Sequence, residues 1–206
     1  MSFQYVIDNA TELSITKRQR VSQTVSRSGV VKTASLGGQI YEIRARLPDG
    51  PRWSENRSFI EQIEALDRTT VSTISINNPG HDYIIGYQGV QPDPNTVTVT
   101  PSATPNRLSI TGGVTISGGG NLLFKAGDYI QLGNNGTVYT VTSNVAATNT
   151  IIDVHRPVKE PQGLTFTLNV GQNVSWNVIC VSFPTWTLFG YDQVRWDGDF
   201  VFAEVV

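Results

Sequence analysis

Few residues in this sequence are suited to holding a metal, moving a proton or attacking a carbonyl. Of the two histidines, His81 lies in the turn "NNPGHDY" and His155 follows the strand-like "NTIIDV". Neither has a Cys, His or carboxylate at metal-ligand spacing. The one cysteine, Cys180, sits in "SWNVICVSF" without a local base to activate it, and it has no partner for an internal disulfide. It is expected to be a small buried hydrophobe. Asp192, Asp197 and Asp199 are close enough in sequence for a calcium loop or an acid–base pair, but Trp196 and Gly198 interrupt them in "RWDGDF", which has the composition of a polar turn. The glycine-rich "TGGVTISGGGN" lacks the GK[ST] ending of a phosphate loop and no helical pattern follows it, so hairpin turns account for its glycines. No Ser nucleophile elbow is present. The expectation is therefore a protein with no catalytic, cofactor or metal site.

Two groups of residues have surface chemistry instead. "TKRQRVSQTVSR" places Lys17, Arg18, Arg20 and Arg27 among strand formers without an acid, as a solvated strand edge or an inter-subunit surface would. Residues 1–68 hold ten of the fifteen Lys and Arg and eight of the seventeen acids, a balance of +2; the remainder carries five against nine, or −4. The last third gathers Trp176, Phe183, Trp186, Phe189, Tyr191 and Trp196. Exposed, these rings would stack on sugars or bases; set in β-like runs, they are expected to form core. In "WDGDFVFAEVV", Trp196, Phe200 and Phe202 read as a C-terminal core strand with one face packed inward.

Composition narrows the partners. Charged residues make up 16% of the chain, hydrophobic residues 39%, and there are 19 glycines. That charge content is below the roughly 25% of an average soluble domain, which suits a β-protein that hides surface against other chains. With a net charge of −2, no overall field draws the chain to nucleic acid or to an anionic membrane, so neither a sequence-specific nucleic acid nor a membrane is expected as a partner. "MSFQYVIDNATELS" lacks a secretory signal pattern, and no apolar run approaches ~18 residues, so a soluble protein made in a cytoplasm is expected. Asn9, Asn135 and Asn173 fit N-x-[ST] as chance matches.

The elements that must carry these residues are mostly strands. Residues 14–47 predict two or three antiparallel strands, among them "VVKTAS" and "QIYEIRARL". The latter sets Tyr41, Ile43, Ala45 and Leu47 on one face against Glu42, Arg44 and Arg46 on the other. After the turn "LPDGPRW", Phe59, Ile60, Ile63 and Leu66 recur at helical spacing, predicting one helix in "SENRSFIEQIEALDR" capped by Ser54, with Glu64 and Arg68 paired four residues apart. "TTVSTISI" predicts a strand. Pro92, Pro94, Pro101 and Pro105 then punctuate a Thr-rich run that predicts a junction rather than a continuous central strand. Beyond it, "FKAGDYIQLGNNGTVYTVTSNVAATNTIIDV" reads as turn, strand, hairpin tip, strand, turn and strand. The fold class expected is mainly β: a β-sandwich with one α-helix (residues 1–90 plus 167–206) interrupted by an OB-like small β-barrel (residues 91–166).

"FKAGDYIQL", "VYTVTSNV" and "NTIIDVHRPV", in that order after strands, one helix and another strand, resemble the OB-like insertion of distal tail proteins of long-tailed bacteriophages. "VRWDGDFVFAEVV" is similar to closing strands of phage tail and baseplate proteins. The resemblance covers the order of elements over most of the chain. It implies a structural virion protein: a homo-oligomeric, hexameric hub ring joining the tail tube protein to other baseplate or tail-tip proteins and the host-recognition apparatus. Such a protein is assembled in the host cytoplasm and resides in the virion tail. In such a ring Lys17, Arg18, Arg20 and Arg27 would face a neighbouring subunit or the lumen. Two alternatives remain open: a baseplate wedge or other peripheral tail protein, and a carbohydrate-binding module using the barrel and the C-terminal aromatics.

Overall fold

Alternation in "QIYEIRARL" produces a strand with one dry face. The structure, a computed structural model, describes residues 3–19, 21–35, 38–133 and 137–205. In chain order it begins with α1 (Gln4–Asp8), β1 (Glu12–Arg18), β2 (Val21–Val25), β3 (Val31–Ser35), β4 (Ile40–Arg46), α2 (Trp53–Glu64) and β5 (Ser72–Ser75). It continues through β6 (Thr98–Pro101), β7 (Arg107–Gly112), β8 (Leu122–Phe124), β9 (Tyr129–Leu132), β10 (Val138–Thr140), β11 (Val145–Ala146), β12 (Ile151–Asp153) and β13 (Phe166–Val170). β14 (Ser175–Ser182), β15 (Trp186–Phe189), β16 (Gln193–Trp196) and β17 (Phe200–Glu204) follow. The protein is mainly β, with α1 as a second helix where the sequence pattern predicts one.

The chain divides into two compact units, Met1–Ile74 with Asn177–Val206, and Ser75–Trp176. Sequence reading sets the seams near residues 90 and 167; the structure sets them inside β5 and β14. The difference has a local cause. The proline-punctuated run is not a linker: Asp93 accepts the Asn95 N–H and opens a 3-10 turn at Pro94–Thr96, and β6 then lies between β13 and β7, inside a sheet. Pro92 and Pro94 precede that strand, Pro101 ends it and Pro105 falls in the next turn, so no proline is asked to donate from mid-strand.

In the first unit a five-stranded sheet has the order β1-β4-β17-β14-β5. Tyr41, Ile43 and Ala45 of β4 are fully buried, and β17 sets Phe202 opposite Ile43 and Phe200 opposite Ala45. The layer on this face includes Phe3, which precedes α1 and whose ring lies 5.3 Å from Phe202, together with the buried Ile60 and Ile63 of α2. Trp196 of the β15–β16 hairpin completes it, 5.1 Å from Phe200. The predicted core strand containing Trp196, Phe200 and Phe202 is thus split into β16 and β17, and all three rings are buried.

α2 is shorter than the predicted 54–68. It ends at Glu64, so Leu66 falls beyond it, and the predicted Glu64–Arg68 pair is replaced: Glu64 accepts the Trp186 indole N–H at 2.7 Å, while Arg68 lies over the Phe183 ring. The cap also differs from expectation. Ser54 is inside the helix, and its N–H and hydroxyl both donate to Asp192, 138 residues away. Asp192 takes a positive φ of 73° at the end of the β15–β16 hairpin, which aims its carboxylate at the helix start. A cap built across the fold leaves no local sequence signal.

The second unit has a six-stranded sheet, β10-β9-β13-β6-β7-β12, which curls until its edges meet. A bridge joins Val141 to Val154, and Thr142 N–H donates to Asp153 O at 2.9 Å beside it. Six strands closing this way do not show the five-stranded OB pattern expected from sequence. The predicted "NNG" tip, residues 134–136, lies outside the described residues. Gly113, expected in a loose turn, is instead a close contact: with φ +79° it sits where a Cβ would be 1.9 Å from the Thr96 carbonyl oxygen. The buried Gln91 amide locks this point by donating to Gly113 O and accepting from the Thr115 and Ile116 N–H groups.

Phe202 tests whether the first unit's core is as dry as it looks. Phe202→Ala removes a fully buried ring and leaves a cavity, an expected cost of about 3–5 kcal/mol. Urea unfolding should show a lower midpoint with an unchanged slope. A loss below about 1 kcal/mol would mean the ring is not packed as described.

Candidate functional site

Of the two groups that sequence reading singles out for surface chemistry, the basic stretch falls on one long β-ribbon, Arg20 lying outside the described residues. β1 and β4 pair from Glu12↔Arg46 to Arg18↔Ile40, and the same two chain segments pair again, two residues out of register, as β2 and β3, from Val21↔Ser35 to Val25↔Val31. The proximal half is built into the five-stranded sheet. Among the described residues the distal half pairs only with itself, and every described side chain of β2 and β3 is exposed. At ~3.3 Å per residue the eight steps from Arg18 to Ser26 give an arm of roughly 26 Å.

Alternation gives the arm two unlike faces. Val21, Gln23 and Val25 share one with Val31 and Thr33; Ser22, Thr24 and Lys32 share the other. Val25 and Val31 stand directly opposite one another, 66% and 56% exposed. The tip is a turn from Ser26 to Val30, closed by Ser26 N–H donating to Val30 O and by Val30 N–H donating to the Ser26 hydroxyl.

An electrostatic clasp fixes the arm's root. Glu42 of β4 is 4% exposed and receives Arg18 Nη1 at 2.5 Å and Arg44 Nη2 at 2.8 Å. Two guanidinium groups around one buried carboxylate keep it paired when either one moves. The predicted basic stretch is therefore not one uniform patch. Lys17 and Arg18 lie at the root, with Arg18 committed to Glu42; Arg27 is at the tip; Arg20 lies outside the described residues. Lys32, exposed on the arm, belongs with them, although its acid-free surroundings on β3 were the only signal for it.

Several polar residues away from the arm are engaged within their own chain. Asp128 accepts the Lys125 and Gln88 N–H groups, and burial raises its carboxyl above the ordinary range against those bonds. Tyr139 donates to Glu160 and receives the Lys159 N–H, and burial followed by Glu160 raises its phenol. His155 Nδ1 accepts the Thr140 N–H. Of the acidic trio, Asp192 caps α2 and Asp197 donates its N–H to Thr185 O. Among the described residues, no three His, Cys, Asp or Glu side chains are grouped to hold a metal ion, and no helix is long and apolar enough to cross a membrane. Of the C-terminal aromatics, Trp176 and Trp196 are buried, Trp186 stacks on Trp53 at 4.6 Å and Tyr191 is fully exposed.

Two chemical tests follow from these contacts. Asp192→Ala removes the α2 cap and sets an alanine at positive φ, an expected loss of about 1–2 kcal/mol in urea unfolding. Asp192→Asn, which tolerates that backbone and keeps an acceptor, should lose less. Burial pushes the Cys180 thiol up from 9.0 to about 11. The unfolded thiol therefore releases its proton first: Cys180 contributes nothing against folding below pH 9, and stability falls as pH rises from there through about 11. At pH 8 the smaller thiolate fraction should make iodoacetamide label the native thiol more slowly than the unfolded one. No protein-family model matches this chain, and no curated protein does.

Proposed function

We propose that this chain is a structural virion protein of a phage tail tip or baseplate, a distal tail hub subunit that forms a homo-oligomeric ring between the tail tube and the host-recognition apparatus. The observation that carries this reading is the arm. A two-stranded hairpin with no third strand or helix behind it is marginally stable in water, and this one displays valines on one face. Fully covering a valine is worth about 1.5–3 kcal/mol, so a neighbouring chain gives the arm the layer it lacks. The order of elements described above supports the same family, and its partners would be further copies, the tail tube protein and other tail-tip proteins. Nothing in this role asks for chemistry beyond association.

Light scattering after chromatography tests it. The full chain is expected as a closed oligomer of about six copies, because a head-to-tail interface repeats until the ring closes. Replacing residues 21–35 by an Asn-Gly turn should give monomers that still melt cooperatively, since the arm contributes no described core side chain. A well-behaved monomer from the unaltered chain at high concentration would overturn the ring and leave a peripheral tail protein or a sugar-binding module.

A further inference from the structure

The arm and one other feature of the first unit lie at opposite limits of the same sheet. β1, the root of the arm, is one edge of the five-stranded sheet, and β5 is the other. Beside β5 runs an open groove of about 610 Å³, bounded by the loop that leaves α2 and by the edge strand itself. Its apolar lining is Ala65, the half-buried Leu66 and Val71, 49% exposed; Asp67 and Thr73 are among the residues that supply polar atoms. Thr69 N–H and the Thr69 and Thr70 hydroxyls all donate to Asp67, which holds its carboxyl below the usual range and so keeps it ionised.

We infer that the β2–β3 arm of one copy docks in the groove beside β5 of a second copy, adding to that sheet edge with its valine face turned toward Leu66 and Val71. This rests on the assembly reading above and names the surface it uses. Three observations select a second copy. Four strand spacings, roughly 19 Å, separate the two edges, so the arm is rooted at the edge farthest from its own β5. Charge is complementary: residues 13–41 contain five Lys and Arg and no acid, so with fifteen cations and seventeen acids in all, the rest of the chain holds ten against seventeen, or −7. The groove shares that sign through Asp67, the one charged residue in its lining. Finally, β5 is a terminal strand and offers an outward row of backbone groups, which a strand of the arm satisfies by ladder pairing. Different surfaces meet in this contact, so it repeats head to tail.

Crosslinking between differently marked copies tests it, after nuclease treatment. Val31→Cys chains are mixed with affinity-tagged Thr73→Cys chains and treated with a short bismaleimide; native Cys180 is buried and is present in every control. A covalent dimer containing one chain of each kind is expected, and little from Val31→Cys with Thr187→Cys, an exposed position on β15. Val71→Lys, at an exposed site, should raise the concentration at which the oligomer half-dissociates by at least about tenfold while its thermal melt stays in place. An oligomer that forms normally, yet gives no mixed dimer or gives it equally with Thr187→Cys, overturns the docking and leaves the ring standing. An unaltered chain that is monomeric overturns both. An oligomer that dissolves on nuclease treatment overturns the docking in favour of nucleic acid on the basic arm.

Discussion

The first unit depends on where β17 lies. Residues 200–204 form the middle strand of the five-stranded sheet, between β4 and β14, so the sheet's two halves meet through a strand more than 150 residues along the chain from β4. Phe202 faces Ile43 from one side and pairs with Cys180 on the other. Two residues along, the carboxylate of Glu204, 8% exposed, accepts the Tyr41 N–H at 3.1 Å from 163 residues away. Contacts at that separation impose a loop-closure cost before they return anything. The unit Ser75–Trp176 answers part of that cost by being compact itself, with its own fully buried cluster around Phe124, Ile130 and Leu168. A folded insertion brings its ends into a defined geometry, and a disordered segment of the same length does not.

How much of this is legible in the sequence depends on the range over which each feature is specified. The face of β4 carrying Tyr41, Ile43 and Ala45 follows from a period of two within one strand, and so does the buried face of Ser72, Ile74 and Ile76. The existence of α2 follows from Phe59, Ile60 and Ile63, but its start does not, because the capping carboxylate belongs to Asp192. β6 is masked by its prolines, which mark its limits and not its absence. Gly113 and Gln91 look like ordinary loop residues until Thr96 is seen to pass within a methyl group's width of Gly113. The candidate site divides the same way. Lys17, Arg18 and Arg27 are visible as an acid-free basic stretch, but that Arg18 is held by Glu42 and Arg27 sits at a tip requires the register of two strand pairs.

The clasp at Glu42 explains how so exposed a ribbon is given a direction. Strand pairing alone leaves a two-stranded ribbon free to twist and bend where it leaves a sheet, and here the register shifts by two residues at that point. Arg18 is on one strand and Glu42 on the other, just before the shift, so their ion pair ties the strands together there, while Arg44 holds the same carboxylate from within β4. Thr16 adds a hydroxyl bond to Glu42 O at 3.3 Å. A buried carboxylate with a guanidinium on each side costs desolvation, and a lone surface pair would contribute little; the arrangement makes sense as positioning more than as stability.

Positioning is also what the proposed association would ask of the arm. A flexible arm would lose its conformational freedom on docking, at about 1–2 kcal/mol for each ordered residue, and ten strand residues would cost more than three valines return. A ribbon already paired along Val21–Val25 and Val31–Ser35 has met most of that backbone cost within its own chain. Its exposed valines can then contribute to an interface nearly in full, and its cations can set which surface is approached. The same reasoning explains why the arm is polar on the reverse face, where Ser22, Thr24 and Lys32 stand: a hairpin apolar on both faces would pair without discrimination, whereas one with a single apolar face fixes which side meets the partner.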